Sequence, residues 1–126
     1  MQITSFSSSK DIAPFALAVH EIVNKLPTTM RSKNSMGVRV EEGKIVDYDY
    51  TGPVLEKALN EGKIIREIPD NGPYIGIPVI VVPIIENNEV ICVLGLIDIT
   101  KGIFSDLMQI TRRPAKIINE PKGEFY

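Results

Sequence analysis

The sequence predicts an α+β fold, built on a five-stranded, mixed and mostly antiparallel sheet with helices on both faces. The expected element order is α-β-β-α-β-β-β-α. Three observations lead there. Two long apolar runs, residues 75–85 and 90–99, are separated only by Glu86-Asn87-Asn88-Glu89. Each run is apolar at both parities, as a strand covered on both faces must be. Two-residue turn signals stand at Glu42-Gly43 and Asn87-Asn88, and apolar stripes at helical spacing flank the strands.

The first helix opens where Asp11 can cap it and Pro14 falls early in it. Ile12, Phe15, Val19, Ile22, Val23 and Leu26 make its stripe, and Pro27 ends it. Residues 28–35 are polar, basic and rich in hydroxyls, and read as a connection. A first strand follows at residues 36–41, with Met36, Val38 and Val40 alternating with polar neighbours. The Glu42-Gly43 turn then sets Val40 opposite Ile45 and puts Arg39 on one face with Val46, Tyr48 and Tyr50. One slip of register would reverse those faces.

Thr51 is placed to cap a short second helix, residues 53–61, whose buried edge is Val54, Leu55, Ala58 and Leu59. Gly62 suits the left-handed residue that ends it. A short strand at residues 63–67 and the turn Pro69-Asp70-Asn71-Gly72 lead to the two long strands. Pro78 cannot donate to a ladder, so it belongs where a neighbouring strand has run out. A last helix is expected at residues 103–111, through Ile103, Phe104, Leu107 and Met108. One domain spans residues 1–114, and residues 115–126 form a C-terminal tail.

Composition narrows the function classes. The chain has 126 residues, 44% hydrophobic and 24% charged, with a net charge of −2. That is enough chain for a real core without staples. The slight negative charge argues against nucleic acid and against an anionic membrane. A single cysteine, Cys92, makes no internal disulfide and reads as a buried thiol. Residues 1–10 lack a signal-peptide pattern, and no apolar run reaches the roughly 20 residues that span a bilayer. A cytoplasmic protein is expected.

The segment Leu94-Gly95-Leu96-Ile97-Asp98-Ile99-Thr100 resembles the end of a PAS domain, where a final strand runs into an Asp-Ile-Thr phrase. The stretch from Pro83 through Asn87-Asn88 to Ile91 resembles the last hairpin of PAS, GAF and Cache sensors. The element order is similar to that of the group holding PAS, GAF and roadblock domains and profilin. The PAS resemblance implies a sensor, although the middle helix is shorter than PAS domains use for a cofactor pocket. The roadblock resemblance implies a dimeric scaffold without catalytic residues. Over nearly its whole length the chain also resembles an uncharacterised family of small archaeal proteins, mainly from methanogens, which implies no activity.

Few residues carry chemistry. His20 is the only histidine and sits beside an apolar stripe, so a structural role outweighs catalysis. Asp47 and Asp49 share a strand parity roughly 7 Å apart, a spacing open to a hard cation or acid–base work but equally to a solvated strand end. Arg39 with Tyr48 and Tyr50, joined by Tyr74, could set a guanidinium against aromatic rings and still offer donors to an anion. Asp98 and Thr100 are suited to capping or tying a strand end. Residues 28–35 have neither glycine nor Walker spacing.

The expected function is therefore a small-molecule-binding or sensory module without catalysis, its ligand between sheet and middle helix near Arg39, Tyr48, Tyr50 and Tyr74. A homodimer is expected, with neither metal nor cofactor. The alternatives are a roadblock-like homodimeric scaffold and an enzyme using Asp47 or Asp49.

Overall fold

The computed structural model describes residues 1–99. Its elements are α1 (Ser9–Ile22), β1 (Thr28–Ser32), β2 (Gly37–Glu41), β3 (Lys44–Tyr50), α2 (Pro53–Glu61), β4 (Ile65–Glu67), β5 (Val79–Glu86) and β6 (Glu89–Ile97). The six strands form one sheet in the order β3-β2-β1-β6-β5-β4, and every neighbouring pair is antiparallel. The expected five-stranded mixed sheet is thereby corrected to six antiparallel strands. The helix expected at residues 103–111, with Thr100 and the tail 115–126, lies outside the described residues.

The additional strand is β1, in the segment that reads as a polar connection. It lies at the centre of the sheet, between β2 and β6, and all five of its residues are buried. Its polar side chains are tolerated there because they find partners. The Ser32 hydroxyl donates to the Ser7 carbonyl at 2.6 Å, and the Thr28 hydroxyl to the Leu26 carbonyl at 2.9 Å. Arg31 donates to the carbonyls of Ser32 and Lys33, at 3.0 and 2.9 Å.

Both hairpin turns follow from local chemistry. Glu42 and Gly43 have φ of 54° and 83°, and Asn87 and Asn88 have φ of 53° and 64°. Paired positive φ values match the twist of the flanking strands in a two-residue turn. Val40 pairs with Ile45 as expected, but irregularities on either side of Arg39 shift the register, so Arg39 faces Asp47 and Gly37 faces Tyr50. β5 begins at Val79, leaving Pro78 outside it. Pro83 lies two residues past Val81, whose β4 partner Ile65 is the first residue of that strand, so its missing N–H removes nothing from that side.

The helices lie on opposite faces and over opposite halves of the sheet. α1 covers β1 to β3, where Ile12, Ala13 and Ala16 pack with Met30, Val38, Val40 and Cys92. α2 covers β4 to β6, where Val54, Leu55, Ala58 and Leu59 pack with Val79, Val81 and Val93. Fully burying one such aliphatic side chain contributes about 1.5–3 kcal/mol.

α1 differs from expectation in its start, its end and its buried face. Ser8 caps it and Asp11 stands at the third helical position, the two forming a reciprocal capping box. The helix ends at Ile22, which is 81% exposed, and Asn24 and Lys25 turn the chain with positive φ. Its buried stripe is Ile12, Ala13, Ala16 and His20. α2 matches its expected bounds and buried edge, and Gly62 ends it at φ 66°. Its N-cap, however, is Gly52 rather than Thr51.

Candidate functional site

A cleft opens on the α2 side of the sheet, between the N-terminal part of α2, the strand floor and the loop that joins β4 to β5. Its empty space is about 400 Å³, open mouth included. Sites that hold small molecules are mostly apolar with a few placed polar groups. Pro27, Pro53, Pro69 and Pro73 stand around this one, with Val54, Leu55, Val79 and Val81 as aliphatic walls.

The floor is set by a glycine. Gly95 on β6 pairs with Thr29 on one side and Val81 on the other. A Cβ there would lie 2.6 Å from Thr29 Oγ1 and 3.2 Å from Val81 Cγ2, so only glycine leaves this floor open without movement of its neighbours. A second glycine, Gly52, lies beneath the Tyr50 ring, where a Cβ would meet the phenolic oxygen at 2.7 Å. Thr29 and Tyr50 both line the cleft. Among the described residues neither hydroxyl has a hydrogen-bond partner, and neither oxygen is shut away from the open space.

Tyr74 holds the loop over this cleft. Its hydroxyl donates to Glu41 Oε2 at 2.7 Å, and Arg39 Nε lies 3.6 Å from the same oxygen. Burial, then the bond to Glu41, pushes the Tyr74 pKa well above the ordinary 10.0. Burial also raises Tyr50, with the Arg39 charge acting in the opposite direction. Both phenols therefore stay neutral through the ordinary pH range.

The wall built by α2 is anchored from beneath. Arg31 is buried, and its guanidinium pairs with the Glu56 carboxylate in the first turn of α2 and donates to Thr51 Oγ1 at 2.9 Å. The Thr51 hydroxyl donates to Glu56 Oε2 at 2.5 Å. Thr51 is thus tied to a side chain, not to the helix backbone. Charge-assisted bonds of this kind are the stronger class.

The structure gathers three of the four residues singled out for binding. Tyr50 and Tyr74 line the cleft, and Arg39 stands close enough to influence both, though it is not part of the lining. Tyr48 stands apart, 49% exposed on the edge strand β3. Asp47 Oδ1 accepts the Asp49 N–H at 2.8 Å, a local turn-like contact. Among the described residues no group of three or more His, Cys, Asp and Glu is placed to hold a metal ion. Asp98 accepts both contacts of Arg66 Nη1, at 3.1 and 3.0 Å, and so ties the end of β6 to β4.

Sequence reasoning missed Thr29, Gly95 and Arg31. The β-branched pair Thr28-Thr29 ahead of Met30 was the available strand signal, and a glycine within an apolar strand run was a marker of close approach.

His20 belongs to the opposite face. It is fully buried, its Nε2 accepts the Gly43 N–H at 2.9 Å, and its Nδ1 donates to the Leu26 carbonyl at 2.7 Å. Both ring nitrogens are committed to the fold. Burial pushes the Cys92 thiol up to about 11, which keeps it protonated and unreactive. No helix among the described residues is long and apolar enough to cross a membrane.

Residues 19–100 match the family described as "uncharacterized protein conserved in archaea" (DUF2111). The chain is also 50% identical over 123 residues to the uncharacterized protein MJ0405 of Methanocaldococcus jannaschii, covering 98% of this chain and 94% of that one. The chain belongs to this archaeal family.

Proposed function

We propose that this member of the archaeal family is a small-molecule-binding module without catalysis, and that its ligand sits in the cleft between α2 and the sheet. One observation carries the reading. Two hydroxyls, Thr29 Oγ1 and Tyr50 Oη, stand unpartnered among the described residues in a mostly apolar, half-open cleft that Asn71 and Tyr74 also line. Hydroxyls that face open space and are not used by the fold can exchange water for a polar group of a ligand. Among the described residues the lining has no acid–base pair and no activated nucleophile, which favours binding over turnover.

A homodimeric scaffold competes with this reading. The β3 edge, unpaired among the described residues, gives it little support, because Asp47 and Asp49 bring like charges there and the Asp49 N–H is already taken.

The test is a thermal-shift screen of the purified chain against small metabolites, repeated with Gly95→Leu. Binding in the cleft predicts compounds that raise Tm of the parent and leave the blocked variant unmoved. A screen in which no compound raises Tm, or in which Gly95→Leu responds equally, overturns the proposal.

A further inference from the structure

The charge of the lining narrows the ligand class, an inference that rests on the cleft being the binding site. Among the described residues, none that lines the cleft carries a formal charge. Outside the lining, the Glu41 carboxylate accepts from the Tyr74 hydroxyl, and Arg39 Nε lies 3.6 Å from it as a buried donor with no hydrogen-bond partner among the described residues. The buried Arg31 is committed to Glu56, Thr51 and two carbonyls. A charged ligand seated here would give up part of its water and meet no opposite charge among the described lining residues, which is unfavourable.

The available polar groups point elsewhere. A threonine or tyrosine hydroxyl both donates and accepts. Thr29 and Tyr50 therefore match an amide, a carbonyl or a hydroxyl equally well. The walls around them are proline rings, aliphatic chains and the Tyr50 and Tyr74 phenols, which offer flat apolar faces to a ring. We infer that the cleft selects an uncharged, largely apolar, ring-bearing molecule with one neutral hydrogen-bonding group. This departs from the anion that Arg39 suggested in the sequence.

Three probes that share one ring test it: benzamide, benzoate and benzylammonium. Each is titrated into the ¹⁵N-labelled full chain while the Gly52 and Gly95 amides are followed, with Gly43 on the far side of the sheet as the control. Benzamide is expected to move both cleft amides, and the two ions to leave them in place. Thr29→Val and Tyr50→Phe are each expected to weaken benzamide by about 3- to 10-fold, the loss of one hydrogen bond. An unchanged Gly43 signal reports that each variant has folded.

If benzoate or benzylammonium moves the cleft amides as far as benzamide does, the neutral class is wrong and the cleft reading survives. If none of the three moves Gly52 or Gly95, both readings fall. Unchanged benzamide affinity in both folded variants removes the two hydroxyls from recognition and overturns the inference as stated.

Discussion

The two faces of the sheet both bury polar side chains, and Arg31 beneath α2 is bonded as fully as those beneath α1, yet two hydroxyls on the α2 face are left open. On the α1 face His20 and Ser32 are fully buried, and each is bonded to a backbone group distant in sequence. On the α2 face Thr29 and Tyr50 keep their hydroxyls unpartnered among the described residues, above a glycine floor. The first face is closed by its own hydrogen bonds, and the second is left open by small residues. A buried polar group therefore says little by itself. Whether the fold satisfies it separates structural from candidate binding positions.

The largest effect that can break this comparison is on the closed face. His20→Ala empties a fully buried site and strands its hydrogen-bond partners, so we expect a loss of about 3 kcal/mol in chemical denaturation. A loss below about 1 kcal/mol would show that the imidazole is not a structural tie. Gly95→Ala on the open face is expected to cost less, about 1–2 kcal/mol, because the nearest atom is a threonine hydroxyl that can rotate. The same change should abolish any ligand-induced rise in Tm. A variant that keeps the full ligand response would move the site away from the β6 floor.

The smallest expected effect is a pH dependence that sharpens the contrast. Cys92 on the α1 face releases its proton near 9.0 when unfolded but only near 11 in the fold. The stability that this supplies is fully present below pH 9 and is lost as pH rises through about 11. Tyr74 on the α2 face is raised from 10.0, so its share begins to fall above pH 10. The denaturation midpoint should decline across this window, and Cys92→Ala should decline less steeply between pH 9 and 10. Equal slopes for parent and variant would contradict burial as the cause.

Much of the fold was legible where its determinants are local. The Glu42-Gly43 and Asn87-Asn88 turns and the whole of α2 depend on a few adjacent residues, and those residues were sufficient. β1 was hidden because its determinants are remote. Ser32 needs Ser7 and Arg31 needs Glu56, each 25 positions away, before a polar segment makes sense as a central strand. The missed strand also displaced the neighbour of β6 and made five strands of six. α1 was misread in phase because its real stripe is built from small residues and a histidine, which carry weak hydrophobic signals. In the site, Tyr50 and Tyr74 stood out as aromatic side chains. Thr29 and Gly95 matter only through being paired across two strands, and no sequence window contains both.

The bond between the Gly43 amide and His20 Nε2 has a consequence for the order of folding. The β2–β3 hairpin carries its own turn chemistry and can close alone, within microseconds. Its tip amide gains its partner only after α1 has docked, because that partner lies 23 positions upstream on the helix. Gly43 is an exposed turn residue whose amide would otherwise exchange quickly with solvent hydrogen. Its exchange rate therefore reports the undocking of α1 from a position on the surface, and should slow or quicken with that helix rather than with the hairpin that carries it.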